Sequence, residues 1–306
     1  MKRKVNNNKA SMRGKLSLCC TQNKQGGKMK RINCVIFAIF IVADISHTGP
    51  LIWRSAQTIP AGKAIIQMNL GYNTVDRSYN WTDKEWTDIA DASQTDVIGA
   101  HFMLGYAPIK RWEAMVHIPL MYKSRDTLST FGWQDVWIKT RYNFIGSKKK
   151  AYLTGVAAVR IPTSSDDVDI LLDDQTLDIG VGAIYFQEFS NILMHLRAGY
   201  WYNGKTDADI DIGDDVELLF KPEYVFNKKL KVFLSFEHVE TFKNKDDTGN
   251  EIENTQKRRL TLTPGLVYSP LPGLKIRPKF LYPIEAVSKG GSNFSWKIGL
   301  DMWYVL

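Results

Sequence analysis

The sequence predicts an all-β chain: a transmembrane, antiparallel, up-and-down β-barrel of about 12 strands. Three observations lead there. From Lys63 to the last residue, about a dozen segments of roughly ten residues alternate apolar and polar side chains. The connections between them alternate long, short, long. Aromatic residues recur at both ends of the segments, where amphipathic rings favour a lipid–water boundary. A soluble antiparallel sandwich shares the alternation, but nothing in it calls for two aromatic belts.

Strands are expected near 63–72, 96–106, 112–121, 134–144, 151–161, 176–186, 191–202, 216–226, 230–242, 257–268, 274–282 and 294–305. Side chains on a strand alternate between its faces, so each pattern assigns a lipid face and a lumen face. In 134–144, Val136, Ile138, Thr140, Tyr142 and Phe144 oppose Asp135, Lys139, Arg141 and Asn143. In 176–186, Leu177, Ile179, Val181, Ala183 and Tyr185 oppose Asp178, Gly180 and Gly182. In 216–226, Val216, Leu218, Phe220, Pro222, Tyr224 and Phe226 oppose Glu217, Lys221 and Glu223. In 274–282, Leu274, Ile276, Pro278, Phe280 and Tyr282 oppose Lys275, Arg277 and Lys279. The last strand places Phe294, Trp296, Ile298, Leu300, Met302, Tyr304 and Leu306 outward, against Ser295, Lys297, Gly299 and Asp301.

Every even-numbered strand finishes on an outward aromatic: Tyr106, Phe144, Tyr185, Phe226, Tyr268 and Tyr304. Tyr72, Tyr122, Tyr202 and Tyr282 mark the opposite rim. Turns after even strands are tight and basic or Pro-rich, as in Pro108-Ile109-Lys110-Arg111 and Ser147-Lys148-Lys149-Lys150. Connections after odd strands, such as 73–95, 162–175, 203–215 and 243–256, are longer and polar. Short periplasmic turns and long outer loops are the pattern of an outer-membrane barrel. The bilayer tolerates no open sheet edge, so the first and last strands must pair.

Residues 1–56 read as a separate basic leader, with 57–306 as the barrel. Residues 1–31 hold ten Lys or Arg and no acid, and the apolar stretch Cys34 to Ala43 follows. A basic region and then about ten apolar residues make a secretory signal. Met29 is an alternative start, and Ser55-Ala56 is the candidate cleavage junction. The formal net charge of +8 is owed to this leader; without the ten basic residues of 1–31 the rest of the chain is near −2, with no nucleic-acid footprint. All three cysteines, Cys19, Cys20 and Cys34, also fall in the leader, leaving no disulfide framework in the barrel.

Several short motifs carry a resemblance. Ile59-Pro60-Ala61-Gly62-Lys63 leads into the first strand, and Gly132-Trp133-Gln134-Asp135-Val136 opens one that ends Arg141-Tyr142-Asn143-Phe144. Val159-Arg160-Ile161-Pro162-Thr163 precedes a loop, and Leu177-Asp178-Ile179-Gly180-Val181-Gly182 follows it. Over roughly residues 58–306 the chain resembles the outer-membrane transporter-like family named for the meta-pathway of phenol degradation. The resemblance implies a channel or uptake protein for small, often aromatic, organic compounds in a Gram-negative outer membrane. Its implied partners are outer-membrane lipids, lipopolysaccharide, the barrel-assembly machinery and small organic solutes; it implies no cofactor. One departure is Leu306 at the end, where such barrels commonly carry Phe; Tyr304 keeps an aromatic on that face.

Twelve strands lie between the eight that side chains can fill and the sixteen that leave an aqueous channel, so a narrow or partly plugged pore is expected. The expected basic wall is Lys63, Lys139, Arg141, Arg259, Lys275, Arg277, Lys279 and Lys297, and the expected lumen acids are Glu217, Glu223, Glu237 and Asp301. Arg160, Arg197, Lys221 and Lys231 also face inward, with Glu113, Asp135 and Asp178. An excess of inward cations suits passage of small anionic or aromatic-acid solutes. The opposing reading is that these cations pair with the acids and fill the lumen. A structural or adhesive barrel is the alternative function.

Two other signals are weaker. Asp207, Asp209, Asp211, Asp214 and Asp215 alternate along one loop, as oxygen ligands for calcium do, but the EF-hand Gly and bidentate Glu are missing. Asp166, Asp167, Asp169, Asp173 and Asp174 make a second acidic loop. His101, His117 and His195 face inward from strands two, three and seven, too scattered for a zinc site. An outer-membrane lipid hydrolase needs a Ser activated by His. His238, the outward strand histidine, is followed by Val239 and Glu240, so no enzyme, metal site or catalytic residue is expected.

Overall fold

The computed structural model describes residues 56–146, 150–164, 170, 172, 173 and 175–306. The leader, the Ser55 side of the cleavage junction, Lys148, Lys149, Asp166, Asp167, Asp169 and Asp174 lie outside the described residues.

Sixteen strands follow one another: β1 (Ala64–Val75), β2 (Arg77–Asn80), β3 (Glu85–Asp88), β4 (Thr95–Ile109), β5 (Trp112–Arg125), β6 (Leu128–Trp133), β7 (Val136–Gly146), β8 (Ala151–Ile161), β9 (Asp178–Phe189), β10 (Ile192–Tyr202), β11 (Asp215–Val225), β12 (Leu230–Thr241), β13 (Lys257–Tyr268), β14 (Leu274–Pro283), β15 (Ser292–Asn293) and β16 (Lys297–Val305). Twelve of them, all except β2, β3, β6 and β15, pair antiparallel with their neighbours and close into a transmembrane barrel. Closure is made by β1 against β16, with Gln67 opposite Trp303 and Asn69 opposite Asp301. The ring therefore has no unpaired edge, which a bilayer requires.

The alternation places side chains as expected. Phe144, Tyr106, Tyr185, Phe226, Tyr268 and Tyr304 are exposed at the turn end, and Tyr202 and Tyr282 at the loop end. Between the belts, Ile138, Val181, Leu196, Leu218 and Phe280 are exposed on the same outer face. So wide an apolar girdle suits lipid and would be a liability in water.

Four differences matter. The expected loop 73–95 folds its own hairpin, β2–β3, extended by β15. β5 runs past the expected end and pairs with β6, whose Phe131 and Trp133 point outward. Buried Gln134 and Asp135 then shift the phase by one residue, so that Ile138 and Tyr142 continue the outer face on β7. Lys63 lies one residue before β1, exposed in a turn that is closed by its own amide on the Pro60 carbonyl. It does not join the wall expected of it.

The fourth difference corrects the last strand, which begins at Lys297 rather than 294. Asn293 pairs with Arg77 of β2, and the Ser295 amide donates to Asp76. Gly290 and Gly291, both at positive φ, turn the chain back. Phe294, expected on the lipid face, is instead 5% exposed and lines the lumen.

Candidate functional site

The lumen has a filled side and an open side. On the filled side, aromatic rings meet edge to face across the interior: His117 on Trp137 at 4.9 Å and Trp137 on Trp201 at 5.4 Å between centroids. His101 stacks on His117, with Nδ1 of one 2.8 Å from Nε2 of the other. His195 stands apart, 3.0 Å from Glu223, so the three histidines do not come together. Arg160 is buried beside Trp137 and Trp201 and binds Asp178 through its Nε, with Asp173 at 3.9 Å. Arg141, from the expected wall, pairs with buried Glu113 at 2.7 Å. Lys139, also from that wall, lies 4.2 Å over the Trp137 ring.

The chain before β1 adds to this filling. Residues 56–59 enter the lumen at the turn end. The Ile59 amide donates to Glu113 at 2.9 Å, and Arg141 donates to the Gln57 carbonyl at 3.2 Å. The Ala56 carbonyl accepts from Asn143 and Thr154. At the loop end, Leu172 packs on Val97 and Met121, and Gln134 donates to its carbonyl.

The open side runs along β11–β14, β16 and β1. Three cavities follow one another there, of about 630, 100 and 150 Å³ from the turn end outward, and a fourth of about 620 Å³ lies beyond them at the loop end, lined by the 203–215 and 243–256 connections and by Glu240 and Arg258 of the outer face. Neighbouring cavities share lining residues. Lys221 and Arg277 lie between the first and second, and Arg259 and Phe294 between the second and third. Lys257, Arg258 and Thr241 lie between the third and the outermost. A cation thus stands at every junction.

Small side chains make this room. Thr261, Thr263 and Ser235 line the second cavity, and the ring of Phe233 closes on Gly265, its partner in register. A Cβ at Gly265 would come within 2.4 Å of that ring, so only glycine lets it lie against the wall.

The expected wall is partly neutralised. Asp301, opposite Arg277 in register, takes Arg277 at 2.5 Å and Lys279 at 3.1 Å. Glu223 takes Lys221 at 2.5 Å and faces Lys231 at 3.8 Å. Glu217 accepts from the Trp201 indole, and Glu237 lines the second cavity. Lys275 lies 5.8 Å over Trp303 in the turn-end cavity, and Lys297 is buried 5.2 Å from the Phe294 ring. Arg259 lines the path and has no ion pair among the described residues. Pairing was invisible to alternation, which assigns a face but not a partner.

The acidic loop gathers no ligand set. Asp214 accepts from the Asn203 amide and Tyr200, Asp215 from Thr241 and Asn203, while Asp211 bridges backbone to Lys205 and Lys245.

One solved structure shares this architecture. An outer membrane channel from Pseudomonas putida F1 superposes with a TM-score of 0.71 at 12% identity, over 82% of this chain and 98% of that one. The translocator domain of the autotransporter NalP from Neisseria meningitidis gives 0.46 at 10% identity, over 90% and 93%. The NanC porin gives 0.47 at 8% identity, over 78% and 98%. At such identities the first likeness speaks for the fold and the other two carry no argument. No curated protein matches in sequence. A family model does match, over residues 95–298, which take in ten of the twelve barrel strands in full. The chain belongs to the family described as "Putative MetA-pathway of phenol degradation".

Proposed function

We propose that the protein is a passive outer-membrane channel for small organic solutes, with a preference for those carrying negative charge. The observation that carries this reading is the chain of three lumen cavities along the open side, with a cation at each junction. Cationic linings favour anions because they offset the cost of removing a charge from bulk water. The family's name, and the channel from Pseudomonas putida F1 that shares the fold, point the same way. The reading implies lipid around the girdle, lipopolysaccharide at the outer rim and delivery by the barrel-assembly machinery.

The barrel is read as non-enzymatic. His238 lies 3.6 Å from Glu240 on the outer face, and the nearest residues along its strand, Glu237 and Val239, offer no nucleophile.

The test is single-channel recording of the purified protein in a planar bilayer under a salt gradient. Steady steps with an anion-biased reversal potential are expected. Asp301→Asn, which releases Arg277 and Lys279 from their shared acid, should strengthen the bias. A heat-modifiable, folded barrel that passes no current would instead identify a structural or adhesive barrel.

A further inference from the structure

The second cavity, about 100 Å³, is the narrow part of the path. By the space one water needs, it has room for roughly seven to ten water-sized groups. Six cationic and two acidic residues line it. Four of those cations are accounted for. Lys221 is held by Glu223, Arg277 and Lys279 by Asp301, and Lys297 by the Phe294 ring among its contacts. The two arginines Arg197 and Arg259 make no salt bridge among the described residues.

They approach from different walls. Arg197 stands on β10 and Arg259 on β13. Arg197 is in register with Leu219, Leu219 with Glu237, and Glu237 with Thr261, one inward position from Arg259. Between them the lining is mixed: Glu237, the acid whose charge acts most on Arg197, with Thr261, Thr263 and Ser235, beside an apolar patch of Phe233, Phe294, folded in from the last loop, and Leu281. A guanidinium offers a planar fork of donors that matches a carboxylate, and it gains most where water is scarce. An apolar wall beside it adds burial of a hydrocarbon body.

We infer that the second cavity is a saturable binding site for a small organic carboxylate with an apolar, ring-sized body. Arg259 holds the carboxylate at the outward junction, Arg197 supplies the second positive flank, and Phe294 and Phe233 take the body. The inference rests on the reading of the lumen as a solute path and adds retention to it: a solute seated here interrupts the ion current.

The probes are benzoate, its neutral counterpart benzamide, and acetate, which has the charge without the ring. Each is titrated calorimetrically into the purified full chain, and each is added to the bilayer recording. Benzoate should saturate and interrupt the current, with benzamide and acetate at least tenfold weaker. Arg259→Gln should weaken benzoate tenfold or more while steady conductance persists, and Lys110→Gln at an exposed turn should change neither. Benzamide binding as tightly as benzoate, benzoate unaffected by Arg259→Gln, or a conducting barrel that never saturates would each overturn the site. Benzoate binding by a barrel that carries no current would keep the site and overturn the channel.

Discussion

The two sides of this lumen are built from the same kind of strand and both carry inward ions, yet one is solid and the other hollow. On β7–β10 the inward positions hold Trp137, Arg160, His195 and Trp201, all buried, with residues 56–59 packed between. On β12–β14 and β16 they hold Ser235, Thr261, Thr263, Gly265 and Gly299 among the ions. Strand number sets the circumference; the size of the inward side chains decides where along it the water goes. Burial then divides the charges. The side chains of Arg160 and Asp178 are 3% and 0% exposed, whereas Arg277 and Lys279 reach 12% and 22%.

The sharpest way to break the comparison is to remove one charge from each side. Arg160→Met removes the guanidinium bound to buried Asp178, and a broken buried pair costs about 3–5 kcal/mol. The expected result is a large drop in the urea midpoint of the barrel in lipid vesicles and loss of the heat-resistant gel band. Arg277→Met leaves Asp301, itself fully buried, still paired with Lys279 at 3.1 Å, so the midpoint should move much less. Equal losses would mean that the two sides do not differ in the way their burial indicates.

A smaller contrast comes from the aromatics. Trp137→Ala removes a ring wedged between His117 and Trp201, and such truncations in packed cores cost about 3–5 kcal/mol. It should destabilise the barrel and leave the anion bias in place. Phe294 borders cavities on both sides, so Phe294→Ala forfeits less packing and widens the junction of the second and third cavities. Single-channel recording should show a larger step for Phe294→Ala than for Trp137→Ala. The reverse order would put the path on the filled side.

Much of this was legible in the sequence, because period two fixes the face of every side chain. The aromatic belts, the inward ions and the closure of β1 on β16 follow from it. Height is what alternation cannot supply. Arg277 and Lys279 look like free wall charges until register sets Asp301 directly opposite Arg277. Arg197 and Arg259 look no different from them, and only the pairing of their neighbours sets them apart. Phe294 obeys the alternation in sequence but leaves the ladder, because Asn293 pairs with β2 and Asp76 holds the Ser295 amide. The filling by residues 56–59 had no periodic signal at all; it depends on Glu113, Asn143 and Thr154, whose shared height only the folded ring creates.

The smallest effect lies outside the membrane, in the loop above the open side. Asp246 closes a turn there: it accepts from the Thr248 hydroxyl at 2.7 Å, the Asn250 amide at 2.8 Å and the Thr248 amide at 3.0 Å. The Thr248 hydroxyl first, then the Asn250 amide, hold its carboxyl below the ordinary 3.8. A depressed carboxyl stabilises the turn above its ordinary pKa, and that contribution fades as pH falls through the lowered value. Thr248→Val removes the leading donor, so Asp246 should titrate closer to 3.8 and the turn should loosen at a higher pH. Carboxyl carbon chemical shifts followed through an acid titration would read this directly. Global stability should not change, since the group is fully in solvent and screened. If the variant also altered the anion bias at neutral pH, this loop, which lines the outermost cavity, would belong to the path, and the open side would extend beyond the three lumen cavities.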